Sequence, residues 1–175
     1  MKTARTFVVS DVHGAFKAFI QCLQRADFDY SNDVLIFLGD AFDGWPDMAL
    51  FLEELTKIKN LVFVRGNHEE FVLDWVETGI ISKDWLANNG QTTLACFPDG
   101  IPGKYLEMIR NSQLYYLSDN RLFVHASAIP GTSPEKTGKE ILLWDRSLFH
   151  YVYQGFEMQN NTRIFKADII KTIIR

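Results

Sequence analysis

Four short stretches of this 175-residue chain concentrate side chains able to hold a metal ion or move a proton. They are "SDVHG" (residues 10–14), "GDAFD" (39–43), "RGNHE" (65–69) and "FVHA" (123–126). Together they offer Asp11, His13, Asp40, Asp43, Asn67, His68 and His125. The second stretch sits in "LGDAFDGWPD", residues 38–47, which packs three aspartates into ten positions behind an apolar run. Carboxylates crowded at the end of a buried strand repel one another unless something positive lies between them. Carboxylate, amide and imidazole donors converging on one place suit a borderline divalent cation such as Mn, Fe or Zn. In an extended segment Asp11 and His13, two residues apart, project to the same side, whereas the neighbours Asn67 and His68 face opposite ways. Asp40, on the second strand, is placed to bridge two ions.

The surrounding pattern supplies the elements that position these groups. "TFVVS" reads as a buried strand, and "AFKAFIQCLQRA" as a helix with Phe16, Phe19, Ile20 and Leu23 on one stripe. "DVLIFLG" is the next strand, followed by "MALFLEELTKI" as a helix with Leu50, Leu52 and Leu55 inward. The third unit is the strand "NLVFV", the loop "RGNHEE" and the helix "FVLDWVET". Strand, polar loop and helix, three times over, predict a parallel sheet with crossover helices. Ligands of such sheets bind beyond the carboxyl ends of the strands, where the four stretches lie. Each stretch alone has a plain structural explanation: a capped loop, a turn, or a helix start with Glu69 near the positive end of its dipole. Their recurrence in this order at successive strand ends is what points to metal.

The middle, residues 82–112, reads as helical pieces broken at Gly90 and Pro102. "LYYLSDNRLFVHA" reads as two strands around "SDN", "GKEILLWDRSLFHYV" as one helix, and "TRIFKADIIKTIIR" fits either a strand or a helix. With no repeat, linker or low-complexity tract, the 175 residues are expected to form a single domain. A net charge of -4 argues against binding a nucleic-acid backbone. The longest apolar runs are too short to cross a bilayer, and the N-terminus lacks a signal-peptide pattern. Cys22 and Cys96 show no metal spacing and fit reduced thiols in a cytoplasmic protein.

The ordered motifs resemble those of the calcineurin-like metallophosphoesterases. Within them the chain resembles the bacterial and phage branch of the serine/threonine protein phosphatase superfamily, near the diadenosine tetraphosphate hydrolases. The resemblance spans residues 6 to about 146. It implies an α/β fold of four layers, two packed β-sheets flanked by helices, with a dinuclear centre at their edge. The implied ions are two divalent metals, Mn first, with Fe or Zn as alternatives. By the same resemblance Asp11 and His13 hold the first ion, Asp40 bridges, and Asn67 and His125 hold the second. His68 is the implied general acid, oriented by Asp43, while Arg65 and Arg146, the latter in "LLWDR", are the implied phosphate grips.

Two departures stand out against the family pattern. Gly44 and Trp45 occupy the place where an Arg-Gly pair follows "GDxxD", so one phosphate clamp is lost. Trp45 cannot make a bidentate guanidinium contact, though its ring offers a face for a base or an aromatic leaving group. A late Gly-His is absent as well; His150 reads as an ordinary helix residue, and Asp168 is the nearest substitute ligand. The chain ends before the strands that ordinarily complete the second sheet, so an incomplete second sheet is expected. The implied function is hydrolysis of phosphomonoesters, with phosphoserine or phosphothreonine in proteins as leading substrates. The alternatives are a dinucleoside polyphosphate or nucleotide hydrolase, and a catalytically impaired relic that binds metal or phosphate.

Overall fold

The computed structural model describes residues 3–154, 156–159 and 162–165, with side chains through residue 150. Two compact units divide the chain, one ending at His125 and the other beginning at Ala126. The first unit opens with β1 (Thr6–Val9), α1 (Phe16–Arg25), β2 (Val34–Phe37), α2 (Met48–Thr56) and β3 (Asn60–Phe63). The three strands form a parallel sheet in the order β1-β2-β3, with Val8, Ile36 and Val62 in register. "VLIF" takes the central place because it can be buried on both faces, and Leu35, Ile36 and Phe37 are all buried.

On α1 the expected stripe faces inward: Phe19 and Leu23 are buried, with Phe16 and Ile20 packed against the core. On α2 the sequence reading is right for Leu52 and Leu55 and wrong for Leu50, which is 52% exposed. The buried stripe is Met48, Phe51, Leu52 and Leu55, which follows i, i+3, i+4, i+7 and leaves position 50 on the outer side. Phe51 and Phe63 meet Phe37 edge-to-face at centroid distances of 5.4 and 4.9 Å, so aromatic contacts join α2 to the sheet.

The helix after β3, α3 (Asn67–Thr78), begins four residues earlier than expected, because "NHEE" forms its first turn. Its acidic residues Glu69 and Glu70 lie at the positive end of the helix. The middle region forms α4 (Lys83–Ala87), α5 (Gly90–Cys96) and α6 (Gly103–Arg110), with breaks close to Gly90 and Pro102 as the sequence suggests. Then come β4 (Tyr115–Ser118) and β5 (Arg121–Val124), an antiparallel pair joined through Asp119 and Asn120. Both turn residues have positive φ, 50° and 57°, which small polar side chains tolerate in tight hairpins.

In the second unit the single helix expected over "GKEILLWDRSLFHYV" is two: α7 (Lys139–Trp144) and α8 (Ser147–Gln154). Asp145 is extended between them, and its Oδ1 accepts the Ser147 backbone N–H at 3.0 Å, an Asx turn that leads into α8. An antiparallel pair follows, β6 (Phe156–Gln159) and β7 (Thr162–Phe165), which gives "TRIF" as strand. The α/β class expected from the sequence is therefore present as a parallel sheet with helical crossovers and small antiparallel pairs. Among the described residues no helix is long and apolar enough to cross a membrane.

One ion pair ties the start of the sheet to its neighbour loop. Asp33 is buried, and its carboxylate accepts from the Arg5 guanidinium at 2.6 Å and from the Arg5 and Asp29 backbone N–H groups, both at 2.9 Å. The Arg5 hydrogen bond, reinforced by those backbone donors, holds the Asp33 carboxyl well below the usual carboxylate range despite its burial. A depressed acid stabilises the fold above its unfolded pKa, about 3.9, and that contribution is lost as the pH falls through the folded value. Asp33→Asn is therefore expected to lower the melting temperature at pH 7, with the difference from the native chain shrinking below about pH 4. Thermal melts across pH 3–7 check this; a difference that stays constant to pH 3 contradicts it.

Candidate metal centre

The loops leaving β1, β2 and β3 converge because their backbones bond to one another. The Asp11 N–H donates to the Gly39 carbonyl at 3.1 Å and the His13 N–H to the Asp40 carbonyl at 2.8 Å. Gly39 and Gly66 make the approach of the β2 and β3 loops feasible. A Cβ on Gly39 would stand 2.2 Å from the Gly66 nitrogen, and one on Gly66 would stand 2.3 Å from Asp40 Oδ1. Gly39 also has φ +86°, open to glycine at little steric cost.

Asp11, His13, Asp40 and Asp43 all have positive φ, between 48° and 62°. Such conformations cost of order 1–3 kcal/mol each and persist where surrounding bonds impose them, characteristically at functional sites. The extended segments assumed from sequence are thus absent here. Asp11 and His13 reach the site through a tight turn, and Asn67 and His68 diverge because they lie on successive positions of the first turn of α3.

Asp40, 4% exposed, stands at the centre. Its Oδ2 lies 3.6 Å from His13 Nε2, 3.6 Å from His125 Nε2 and 3.9 Å from His68 Nε2. His125 Nδ1 is 3.9 Å from Asp11 Oδ1, and His125 Nε2 is 2.8 Å from Asn67 Oδ1. Two donor groups result, Asp40 with His13 and His68, and Asp40 with Asp11 and His125, each with its atoms within 4.8 Å of one another. Asp40 belongs to both, as a bridging ligand must.

The chemistry of these donors fits divalent cations. Separations of 3.6–3.9 Å are too long for hydrogen bonds. They are close to the edge of a coordination shell whose bonds are about 2.0–2.2 Å. His13 Nδ1 bonds the Phe42 carbonyl at 2.6 Å and His125 Nδ1 the Leu38 carbonyl at 2.7 Å. A carbonyl only accepts, so in each ring Nδ1 is the donor and Nε2 is the nitrogen turned inward, the usual arrangement of a metal-binding histidine. His125 Nε2 and Asn67 Oδ1 lie beside each other and face the same place.

His68 has a carboxylate partner instead: its Nδ1 lies 2.7 Å from Asp43 Oδ2. Burial pushes its pKa down, but the Asp43 hydrogen bond and the charges of Asp40, Asp43 and Glu69 outweigh burial and raise it. The ring is thereby biased toward imidazolium.

Arg65 is engaged within the fold. Its Nε donates to Ser112 Oγ at 2.9 Å, its Nη1 to Glu70 at 2.8 Å, and its Nη2 to the carbonyls of Ile109, Arg110 and Ser112 at 3.1–3.2 Å. It ties the β3 loop to the negative end of α6. Arg146, in the second unit, is exposed between α7 and α8. Trp45 is 63% exposed, with its backbone N–H held by the His13 carbonyl at 2.8 Å. His150 is an exposed residue of α8, and Asp168 lies outside the described residues.

Three residues that the motifs did not single out for chemistry bear on the site. Glu69, fully buried, accepts the backbone N–H groups of Asp40, Ala41 and Gly66 at 2.9, 2.7 and 2.7 Å, which fixes the loop carrying the bridging carboxylate. Its signal was the spacing from Gly66, three residues before it at the helix start. Trp85 and Thr93 both bond Asp43; lying 42 and 50 residues away in sequence, they gave no local signal.

The family model for calcineurin-like phosphoesterases matches residues 4–174. The chain belongs to that family. A serine/threonine-protein phosphatase 1 of Salmonella typhimurium is 37% identical over 84 residues, covering 48% of this chain and 38% of that protein. A symmetrical bis(5'-nucleosyl)-tetraphosphatase of Nitrosomonas europaea is 27% identical over 132 residues, covering 75% of this chain and 47% of that protein. The chain thus spans about half the length, or less, of these curated relatives. The solved metallophosphoesterase of Sphaerobacter thermophilus shares the fold, with a TM-score of 0.53 at 19% identity over 70% of this chain and 46% of that one.

Proposed function

We propose that the chain is a metal-dependent phosphoesterase acting on phosphomonoesters, with phosphoserine and phosphothreonine in proteins as its leading substrates. The observation that carries this reading is Asp40 Oδ2 standing 3.6–3.9 Å from three imidazole Nε2 atoms, one of them on a ring paired with a buried carboxylate. Asp11, His13, Asp40, Asn67 and His125 would hold two divalent ions, Mn before Fe or Zn. Bound there, such ions supply Lewis acidity toward the phosphate oxygens and a nucleophile at neutral pH.

The chain's own residues do the rest. His68, paired with Asp43, donates its Nε2 proton to the leaving oxygen as the ester bond breaks, a contribution typically of order a hundred- to ten-thousand-fold. Asp43 holds the ring in the orientation for that donation. Arg146 is the proposed phosphate ligand, because a guanidinium can take two oxygens at once.

A dinucleoside polyphosphate hydrolase is the second reading, favoured by the exposed Trp45 on the loop that carries Asp40 and Asp43. Its ring offers a stacking face for a base. Rates on a phosphoserine peptide, p-nitrophenyl phosphate and a dinucleoside tetraphosphate, measured with Mn, separate the readings. The proposal expects the highest kcat/KM on the monoesters. A higher value on the tetraphosphate selects the second reading, and no turnover of any substrate by the Mn-loaded chain leaves a metal-binding relic.

A further inference from the structure

We infer that Trp85 and Thr93 are positioning residues for the general acid, and that they set how well the chain cleaves esters whose leaving group must be protonated. The inference rests on the proposed hydrolysis, with His68 as proton donor. Asp43 is 2% exposed, and its two oxygens have different duties. Oδ2 takes the His68 Nδ1 contact at 2.7 Å and also accepts the Trp85 indole N–H at 2.7 Å. Oδ1 accepts the Thr93 hydroxyl at 2.5 Å, while the same Thr93 oxygen lies 3.2 Å from the Asp43 backbone N–H. The carboxylate is therefore fixed at both ends by donors from α4 and α5, and the imidazole is aimed by a group that cannot rotate.

The clamp is built with little tolerance. Trp85 is 1% and Thr93 0% exposed, so neither bond competes with water. A side chain at Gly90 would put its Cβ 2.7 Å from three ring atoms of Trp85, so the bare glycine is what lets the indole lie against α5. Trp75 packs on the indole at a centroid distance of 5.4 Å. Ser82 caps α4 by accepting the Trp85 backbone N–H at 3.1 Å, which sets the helix that carries the ring. The next loop residue is held as well: the Gly44 N–H donates to Thr92 Oγ1 at 2.7 Å. "WLANNGQTT", residues 85–93, is in this view a brace for the Asp43–His68 pair.

An indole N–H is a donor only and needs an acceptor when buried, so Asp43 would satisfy Trp85 even if the contact served packing alone. The two roles separate by leaving group. A purely structural contact, once lost, lowers the rate on all substrates alike. A positioning contact, once lost, harms the esters that need a proton from His68 most, and p-nitrophenyl phosphate, whose leaving group departs as a stable anion, least.

The experiment compares kcat on phosphoserine and on p-nitrophenyl phosphate for the full chain with Mn and for Trp85→Phe, Thr93→Val and Thr93→Ser. Removing an outer partner of a carboxylate–histidine pair typically costs about 10- to 100-fold. That loss is expected on phosphoserine for Trp85→Phe and Thr93→Val, with a several-fold smaller loss on p-nitrophenyl phosphate and recovery in Thr93→Ser. Thr93→Val, nearly isosteric, carries the test if Trp85→Phe does not fold, as judged by thermal melting. Equal losses on both substrates, or no loss in a folded Thr93→Val, overturn the inference. A native chain that turns over neither ester overturns the proposed function together with it.

Discussion

Asp40→Asn is expected to remove most of the hydrolytic activity together with at least one bound ion. Asp40 is shared by the two donor groups, so its loss weakens both at once. The substitution preserves volume and keeps one oxygen, but it deletes the negative charge that offsets the cations. Metal ions stabilise the charge developing on phosphoryl oxygens by several kcal/mol, and each 1.36 kcal/mol is tenfold in rate, so a fall in kcat of about a thousandfold or more is expected. The fold should survive, because the Asp40 backbone N–H, not its side chain, is what Glu69 holds. Metal analysis and thermal melting beside the kinetics check this. A variant with native metal content and native turnover would remove Asp40 from the centre.

His68→Asn should show the opposite pattern: metal retained, turnover lost. If His68 is the proton donor and not a ligand, the ions remain on Asp11, His13, Asp40, Asn67 and His125. The loss in kcat should then be of order a hundred- to ten-thousand-fold on an alkyl phosphate and smaller on p-nitrophenyl phosphate. The distinction matters because His68 Nε2 is only 3.9 Å from Asp40 Oδ2, near enough to share an ion with His13. Metal content by elemental analysis together with kcat decides between the roles. Loss of an ion in this variant would make His68 a ligand, and unchanged turnover would remove it from the chemistry altogether.

Much of the centre was legible in the sequence, because its donors sit in short motifs directly after apolar runs. Asp11, His13, Asp40, Asn67, His68 and His125 all arrive at one place, at the ends of the strands that those runs form. The local reasons given for their directions were less secure. Period-two alternation assumes extended backbone, whereas the turns that deliver Asp11, His13, Asp40 and Asp43 use positive φ, which no periodicity encodes. Arg65 was implied as a phosphate ligand by the family resemblance, and it bonds the carbonyls of Ile109 and Arg110, more than forty residues away. Long-range hydrogen bonds of this kind leave no local trace, and Trp85 and Thr93 were missed for the same reason. On α2 the stripe itself was readable, and Leu50 was misplaced because leucine identity was followed in place of angular position.

The central claim is that these side chains gather a pair of cations, and equilibrium dialysis of the purified chain against Mn tests it directly. Two saturable ions per chain are expected, with hydrolysis rising as the second site fills. Saturation at one ion with no turnover, or no saturable binding at all, would contradict the account.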